Sequence, residues 1–181
     1  MIEEMNLSKA QVRAFESPVR LGIITALRHR KALSARDLSQ HVGLAPDRVY
    51  YHLNKLIKLN LVESTSSRPT ETKPETIYQL TAKVFQMRNL ENDPEYARSV
   101  IVSAERVLRT ALGHYEAQTR TVRKPTQDLT HFNFATGRCS ERRIKDLRKR
   151  LMAIGLEILE GDESGIPVIL AGVFTPIADQ S

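Results

Sequence analysis

The chain has 181 residues, a formal charge of +6, one cysteine and no tryptophan. No apolar run approaches the ~20 residues that cross a bilayer, and MIEEMNLSKAQ lacks the charged-then-apolar layout of a secretory signal. A lone cysteine excludes an internal disulfide, so the expectation is a cytoplasmic protein of one ordinary domain with an appendage, or of two small domains.

The first elements legible from residue pattern lie in residues 34–62, SARDLSQHVGLAPDRVYYHLNKLIKLNLV. Ser34 to about Val42 predicts a helix opened by a capping box, with Ser34 accepting from the amide three residues on and Asp37 reaching back. Leu33, Leu38 and Val42 form its apolar side. Gly43 supplies the permissive backbone of a sharp helix exit. Pro46 opens the next helix, since proline at the first position loses only an amide that has no helical partner. There Val49, Leu53, Leu56 and Ile57 recur at three- and four-residue spacing and are expected inside. Asp47, Arg48, Tyr51, Asn54, Lys55 and Lys58 then point outward. A packed helix, a glycine turn and a second helix with a polar outer face make a helix-turn-helix.

Leu61 to Ser64 and Thr76 to Leu80 are β-prone. Between them, Thr65 to Glu75 holds two prolines and several hydroxyl residues and predicts an irregular loop. A hairpin after the second helix is a wing, with Arg68 and Lys73 its only cations and Glu71 and Glu75 opposing them.

Beyond Thr81 a short helix is expected over Ala82 to Leu90. Asp93 and Pro94 are a helix start signal, and the helix they open is expected to run to about Thr121. Ala97, Val100, Ile101, Ala104, Val107, Leu108, Ala111, Leu112 and Tyr115 form one apolar stripe on it, able to pack on its own domain or on a second copy. A linker follows over Arg120 to Asp128. Leu129 to Ala135 alternates as a strand, Ser140 caps a helix to about Glu160, Gly161 to Gly165 reads as a turn, and Ile166 to Phe174 reads as a second strand. This strand–helix–strand tail is too small to bury a core alone.

Three segments resemble the winged helices of the ArsR type, a family of dimeric bacterial and archaeal transcriptional regulators. Glu16 to Leu27, with its Pro18, Arg20 and aliphatic positions, looks like the family's first helix. Leu38 to Leu44 looks like the first motif helix and turn, and Val49 to Leu56, with His52-Leu53, looks like the recognition helix. The resemblance covers about residues 8–82. It implies a homodimeric repressor that binds duplex DNA, using terminal helices to dimerise. Ala45 departs from it, standing where a Ser or Thr helix cap is usual.

Charge distribution agrees. Residues 1–80 carry twelve Lys and Arg against eight Asp and Glu, residues 81–125 eight against five, and residues 126–181 seven against eight. Seven cations lie between Arg28 and Lys58, opposed only by Asp37 and Asp47. On a helix-turn-helix, such an excess supplies nonspecific affinity by neutralising phosphate.

Enzyme signatures are missing: there is no Gly-x-Gly-x-x-Gly, Walker loop, His-Glu-x-x-His or Gly-x-Ser-x-Gly. Cys139 adjoins Arg142 and Arg143, which can lower a thiol pKa, but one cysteine before a helix is ordinarily structural. The thiolate pair of the family's metal sensors is absent. His114 and Glu116, two apart on a helix, diverge. No metal and no cofactor are expected.

The fold class expected is mainly α with a small β component. A winged helix-turn-helix over residues 1–82 precedes a helical dimerisation and effector region over residues 83–181, where an unidentified small molecule would act. Asp47, Arg48, Tyr51 and Asn54 are assigned to bases, and Ser34, Arg36, Lys55, Lys58, Arg68 and Lys73 to phosphate through the motif and wing. Val100, Ile101, Ala104, Val107, Leu108 and Ala111 are assigned to a homodimer. The competing class is a winged helix that assembles with protein rather than reading DNA, to which Tyr50 and Tyr51 are suited.

Overall fold

A computed structural model describes residues 2–70, 74–87, 93–120, 139–161 and 168–172. The chain is mainly α with a small β component. Its elements are β1 (Ile2–Asn6), α1 (Lys9–Val12), a 3-10 turn (Arg13–Glu16), α2 (Pro18–Arg30), β2 (Ala32–Ser34), α3 (Ala35–Val42), α4 (Pro46–Lys58), β3 (Val62–Arg68), β4 (Glu75–Leu80), β5 (Ala82–Gln86), α5 (Pro94–Arg120) and α6 (Glu141–Glu160). Residues 1–106 cluster as one compact unit and residues 107–181 as another.

Local chemistry starts and stops the helices of the first unit. Ser17 caps α2, with Pro18 in its first turn. Ser34 caps α3 and closes the capping box with Asp37, and Gly43 ends α3 at φ 67°. That left-handed backbone costs a side chain ~1–2 kcal/mol and glycine nothing comparable. Gly22 on α2 serves close packing instead: a Cβ there would meet Val42 Cγ1 at 3.1 Å, so an alanine would require Val42 of α3 to shift. Pro46 opens α4, and Ala45 before it makes no side-chain cap.

Ile23 and Leu27 of α2, Leu38 of α3 and Val49, Leu53 and Leu56 of α4 are buried together with Leu61, Val62 and Leu80. Ile57 departs from expectation and is 37% exposed. At ~100° per residue it lies roughly 80° from the line of Val49, Leu53 and Leu56, at the rim of the packed face.

β2, β4 and β3 form an antiparallel sheet in that order. β3 extends to Arg68, past the point where the sequence reads as loop. A register shift between Ser64 and Ser66 absorbs one residue, after which Ser67 pairs with Thr76 and Arg68 with Glu75. Such a bulge lets a hydroxyl-rich strand continue.

The segment expected as a helix from Ala82 is instead β5, paired in parallel with β1 from Ile2 opposite Ala82 to Asn6 opposite Gln86. Phe85 of this strand meets Phe15 edge-on at 5.9 Å between ring centres. Arg28 lies over the other aromatic contact, its guanidinium 5.1 Å from the Phe85 ring centre. Burial lowers the Arg28 pKa to about 10. It is therefore a half-buried packing cation, one of the seven counted toward the basic surface.

The first turns of α5 dock on this unit through an unexpected face. Tyr96, Ser99 and Ser103 are buried. The Tyr96 hydroxyl donates to the Leu7 carbonyl at 3.1 Å, and Ser103 Oγ donates to the Val12 carbonyl at 3.1 Å. Lys9 pairs with Glu95 and Asp93, and Arg13 with Glu95. The apolar stripe is centred roughly 110° around α5 from these residues, and on its far edge Ile101 is 63% and Leu112 55% exposed.

The second unit contains α6, begun by Ser140 as expected. The strand expected over Ile166 to Phe174 is not formed where the chain is described, at residues 168–172. The strand expected over Leu129 to Ala135 lies outside the described residues.

Candidate nucleic-acid interface

α4 divides by angle into an inner and an outer face. With Val49, Leu53 and Leu56 inward, Asp47, Tyr51, Asn54 and Lys58 occupy the middle of the outer face. Arg48 and Lys55 flank it on one side and Tyr50 on the other. All seven are exposed. Asp47 sits in the first turn of α4, where a carboxylate favours the helix dipole.

Two of these side chains are already engaged. Lys55 Nζ stands 4.4 Å from the Tyr51 ring centre. A hydrogen bond from Lys55, its charge and the charge of Arg20 hold the Tyr51 phenol below its ordinary pKa. The Tyr51 ring in turn meets the edge of His52 at 5.2 Å. Burial, with Arg20 and Lys55 nearby, lowers the His52 pKa from its ordinary value. Its Nδ1 is buried without a hydrogen-bond partner among the described residues.

Arg20 was not among the expected site residues. It leaves α2 to donate from Nε to the Ala14 carbonyl at 2.9 Å and from Nη2 to the Arg13 carbonyl at 3.2 Å. Its charge therefore stands at a fixed place beside the Tyr51–His52 flank of α4. The one sequence signal for it was its match to an arginine in the family's first helix. Tyr50, set aside as an interface residue, is 43% exposed. It borders a shallow depression with Arg36, Pro46 and Glu75, between the starts of α3 and α4 and the wing.

The remaining expected residues divide. Arg36 is exposed at the start of α3. Ser34 is 1% exposed, its hydroxyl accepting from the Asp37 amide at 3.2 Å and donating to Asp37 Oδ2 at 2.9 Å. That hydroxyl is consumed by the cap and does not lie on the outer surface. Arg68 is exposed but donates from one nitrogen, Nη2, to Asp37 at 3.2 Å and to Glu75 at 2.8 Å. It joins the wing to the start of α3, with its charge offset by two carboxylates. Lys73 lies outside the described residues. The outer face of α4, with Arg36 beside it, is thus a cationic surface on which Arg48, Lys55 and Lys58 are opposed by Asp47 alone. It suits contact with a polyanion and offers hydrogen-bond donors and acceptors at base-edge reach. Among the described residues no three His, Cys, Asp or Glu side chains are grouped as metal ligands.

On the α5 stripe, Ile101 is exposed, and Val100, Ala104, Val107, Leu108 and Ala111 are half-buried. These six share one side of the helix, whose edge at Val100 and Val107 adjoins Tyr96.

Comparison with known families matches residues 15–65 to a helix-turn-helix domain. The matched span runs from the 3-10 turn through α2, α3 and α4 into β3. A search of curated proteins finds no match for the chain. Among the described residues no helix is long and apolar enough to cross a membrane.

Proposed function

We propose that this protein is a homodimeric, sequence-specific regulator of transcription, a repressor of the ArsR type, that reads duplex DNA with α4. The observation that carries this reading is the outer face of α4, where Arg48, Tyr51, Asn54, Lys55 and Lys58 are all exposed on a helix whose other face is fully packed. Asn54 and Arg48 supply the bidentate chemistry that distinguishes adenine and guanine in the major groove, and Tyr51 can contact a thymine methyl or a phosphate. Lys55, Lys58 and Arg36 supply phosphate contacts that set position and salt dependence. The homodimer is supported by the apolar stripe of α5, on which Ile101, Leu112 and Tyr115 are exposed. Two copies then place two α4 helices for half-sites about one helical turn of DNA apart.

Selection of bound fragments from a random duplex pool at physiological salt tests this directly. Enrichment of a two-fold symmetric site with fixed half-site spacing is expected. Recovery of no sequence, together with salt-insensitive, negligible DNA binding, would sink the reading and favour the protein-assembly alternative that exposed Tyr50 and Tyr51 also suit.

A further inference from the structure

Helix α6 buries no residue; Leu151 and Ile154 are each more than 40% exposed on one side of it, and Met152, Leu156 and Leu159 on another. An isolated helix of this length is marginal in water, and most helices owe their stability to packing of an apolar face. The pattern on α6 says what kind of packing. Ile144, Leu147, Leu151, Ile154 and Ile158 alternate at three- and four-residue spacing, the seam of a coiled coil.

Charge selects the occupant of that seam. The first half of α6 carries Arg142, Arg143, Lys145, Arg148, Lys149 and Arg150 against Glu141 and Asp146, whereas the second half carries only Glu157 and Glu160. The apolar stripe of α5 is a poor match, because its end carries Arg109 and Arg120 against Glu116 and is itself net positive. A second α6 running the opposite way sets basic half against acidic half.

We propose that α6 pairs antiparallel with α6 of a second copy, Leu147 opposite Ile158 and Leu151 opposite Ile154. Flanking positions of such seams set orientation through their charges. Arg143, Arg150 and Glu157 line one flank and Arg148 lies on the other. The antiparallel arrangement brings Arg150 to Glu157 of the partner subunit; a parallel one would bring Arg143 to Arg148 of the partner subunit. The pairing rests on the homodimer proposed above, since four layers make a short seam and tethering through α5 raises the effective concentration of the second helix.

Cys139, the sole cysteine, is exposed immediately before the Ser140 cap and takes a spin label on the full-length wild-type chain. Dipolar distance measurement, with mass from sedimentation equilibrium, gives the test. Antiparallel pairing sets the two labels at opposite ends of a 20-residue helix, so a narrow distance of ~30 Å or more is expected at ~1.5 Å per residue. Parallel pairing would set them about one helix diameter apart, ~10 Å. Leu151→Glu should broaden the distribution while the dimer mass persists through α5. Glu157→Arg should broaden it too, and adding Arg150→Glu should restore it. A dimeric mass with a short or broad wild-type distance overturns the α6 pairing and leaves the homodimer standing; a monomeric mass overturns both.

Discussion

Lys55 stands over the ring of Tyr51, its ammonium 4.4 Å from the ring centre, so two neighbours on the outer face of α4 hold one another before DNA arrives. Residues four apart on a helix are surface neighbours, and a cation over an aromatic face is attracted by its quadrupole. A tyrosine fixed in this way meets a base or phosphate with less rotamer freedom left to lose.

The coupling is measurable without DNA. Lys55→Met removes the hydrogen bond and the charge that hold the Tyr51 phenol below its ordinary value. The Tyr51 pKa should then rise toward the usual ~10 for a tyrosine. Ring-proton chemical shifts followed against pH read this out. An unchanged titration midpoint would show that the two side chains do not interact in solution.

Asn54 is exposed at the middle of the outer face of α4 and is assigned to a base. Asn54→Ala should cost ~1–3 kcal/mol on the cognate duplex and relax preference at one position. Lys55→Ala should weaken cognate and scrambled duplexes alike and lower the salt slope by about one. Titrations of both variants at two salt concentrations decide the assignments, and equal losses on the two duplexes for Asn54→Ala would remove it from the base readers.

Helix-turn-helix and outer face were legible because their signals are local. Ser34 with Asp37, Gly43 and Pro46 each fix the backbone within a few residues of themselves, and the spacing of Val49, Leu53 and Leu56 orients α4. Elements that depend on distant partners were not legible. Ala82 to Leu90 is rich in helix formers, and only β1, eighty residues earlier in the chain, makes its start a strand. β2 is three residues long, too short for periodicity, and exists through its pairing with β4. Side-chain engagement depends on such partners too: Ser34 is a polar residue in the right segment, but its hydroxyl is engaged by Asp37, and Arg68 is drawn through Nη2 to Asp37 and Glu75.

That shared carboxylate predicts an acid limit to stability. Burial opposes the charge on Asp37, but the amide and hydroxyl of Ser34 and the guanidinium of Arg68 outweigh it and hold the pKa below its ordinary value. A depressed folded-state pKa contributes stability above the unfolded pKa, near 4, and loses it as pH falls through the folded value. Urea midpoints should therefore drop for wild type below about pH 4 and drop less for Asp37→Asn, which starts lower. Ser34→Ala should cost ~1 kcal/mol at neutral pH. An identical pH dependence in wild type and Asp37→Asn would count against this account.

The two faces of α5 should separate by experiment. Ile101→Glu or Leu108→Glu should yield monomers with weakened operator affinity and nearly unchanged stability per chain, by sedimentation and thermal melting. Ser103→Ala, which removes the donor to the Val12 carbonyl, should lower stability by ~1 kcal/mol and leave mass unchanged. Wild type that sediments as a monomer at micromolar concentration would end the α5 assignment.

The parallel pairing of β1 with β5 has a consequence in time. Ile2 is opposite Ala82, so the ladder closes a loop that contains α2, α3, α4 and the wing. Loop closure over that length is entropically costly until the intervening chain is compact. β1 is therefore expected to find its place last of these, docking on a motif whose helices have already formed. Substitutions in Ile2–Asn6 should speed unfolding far more than they slow folding.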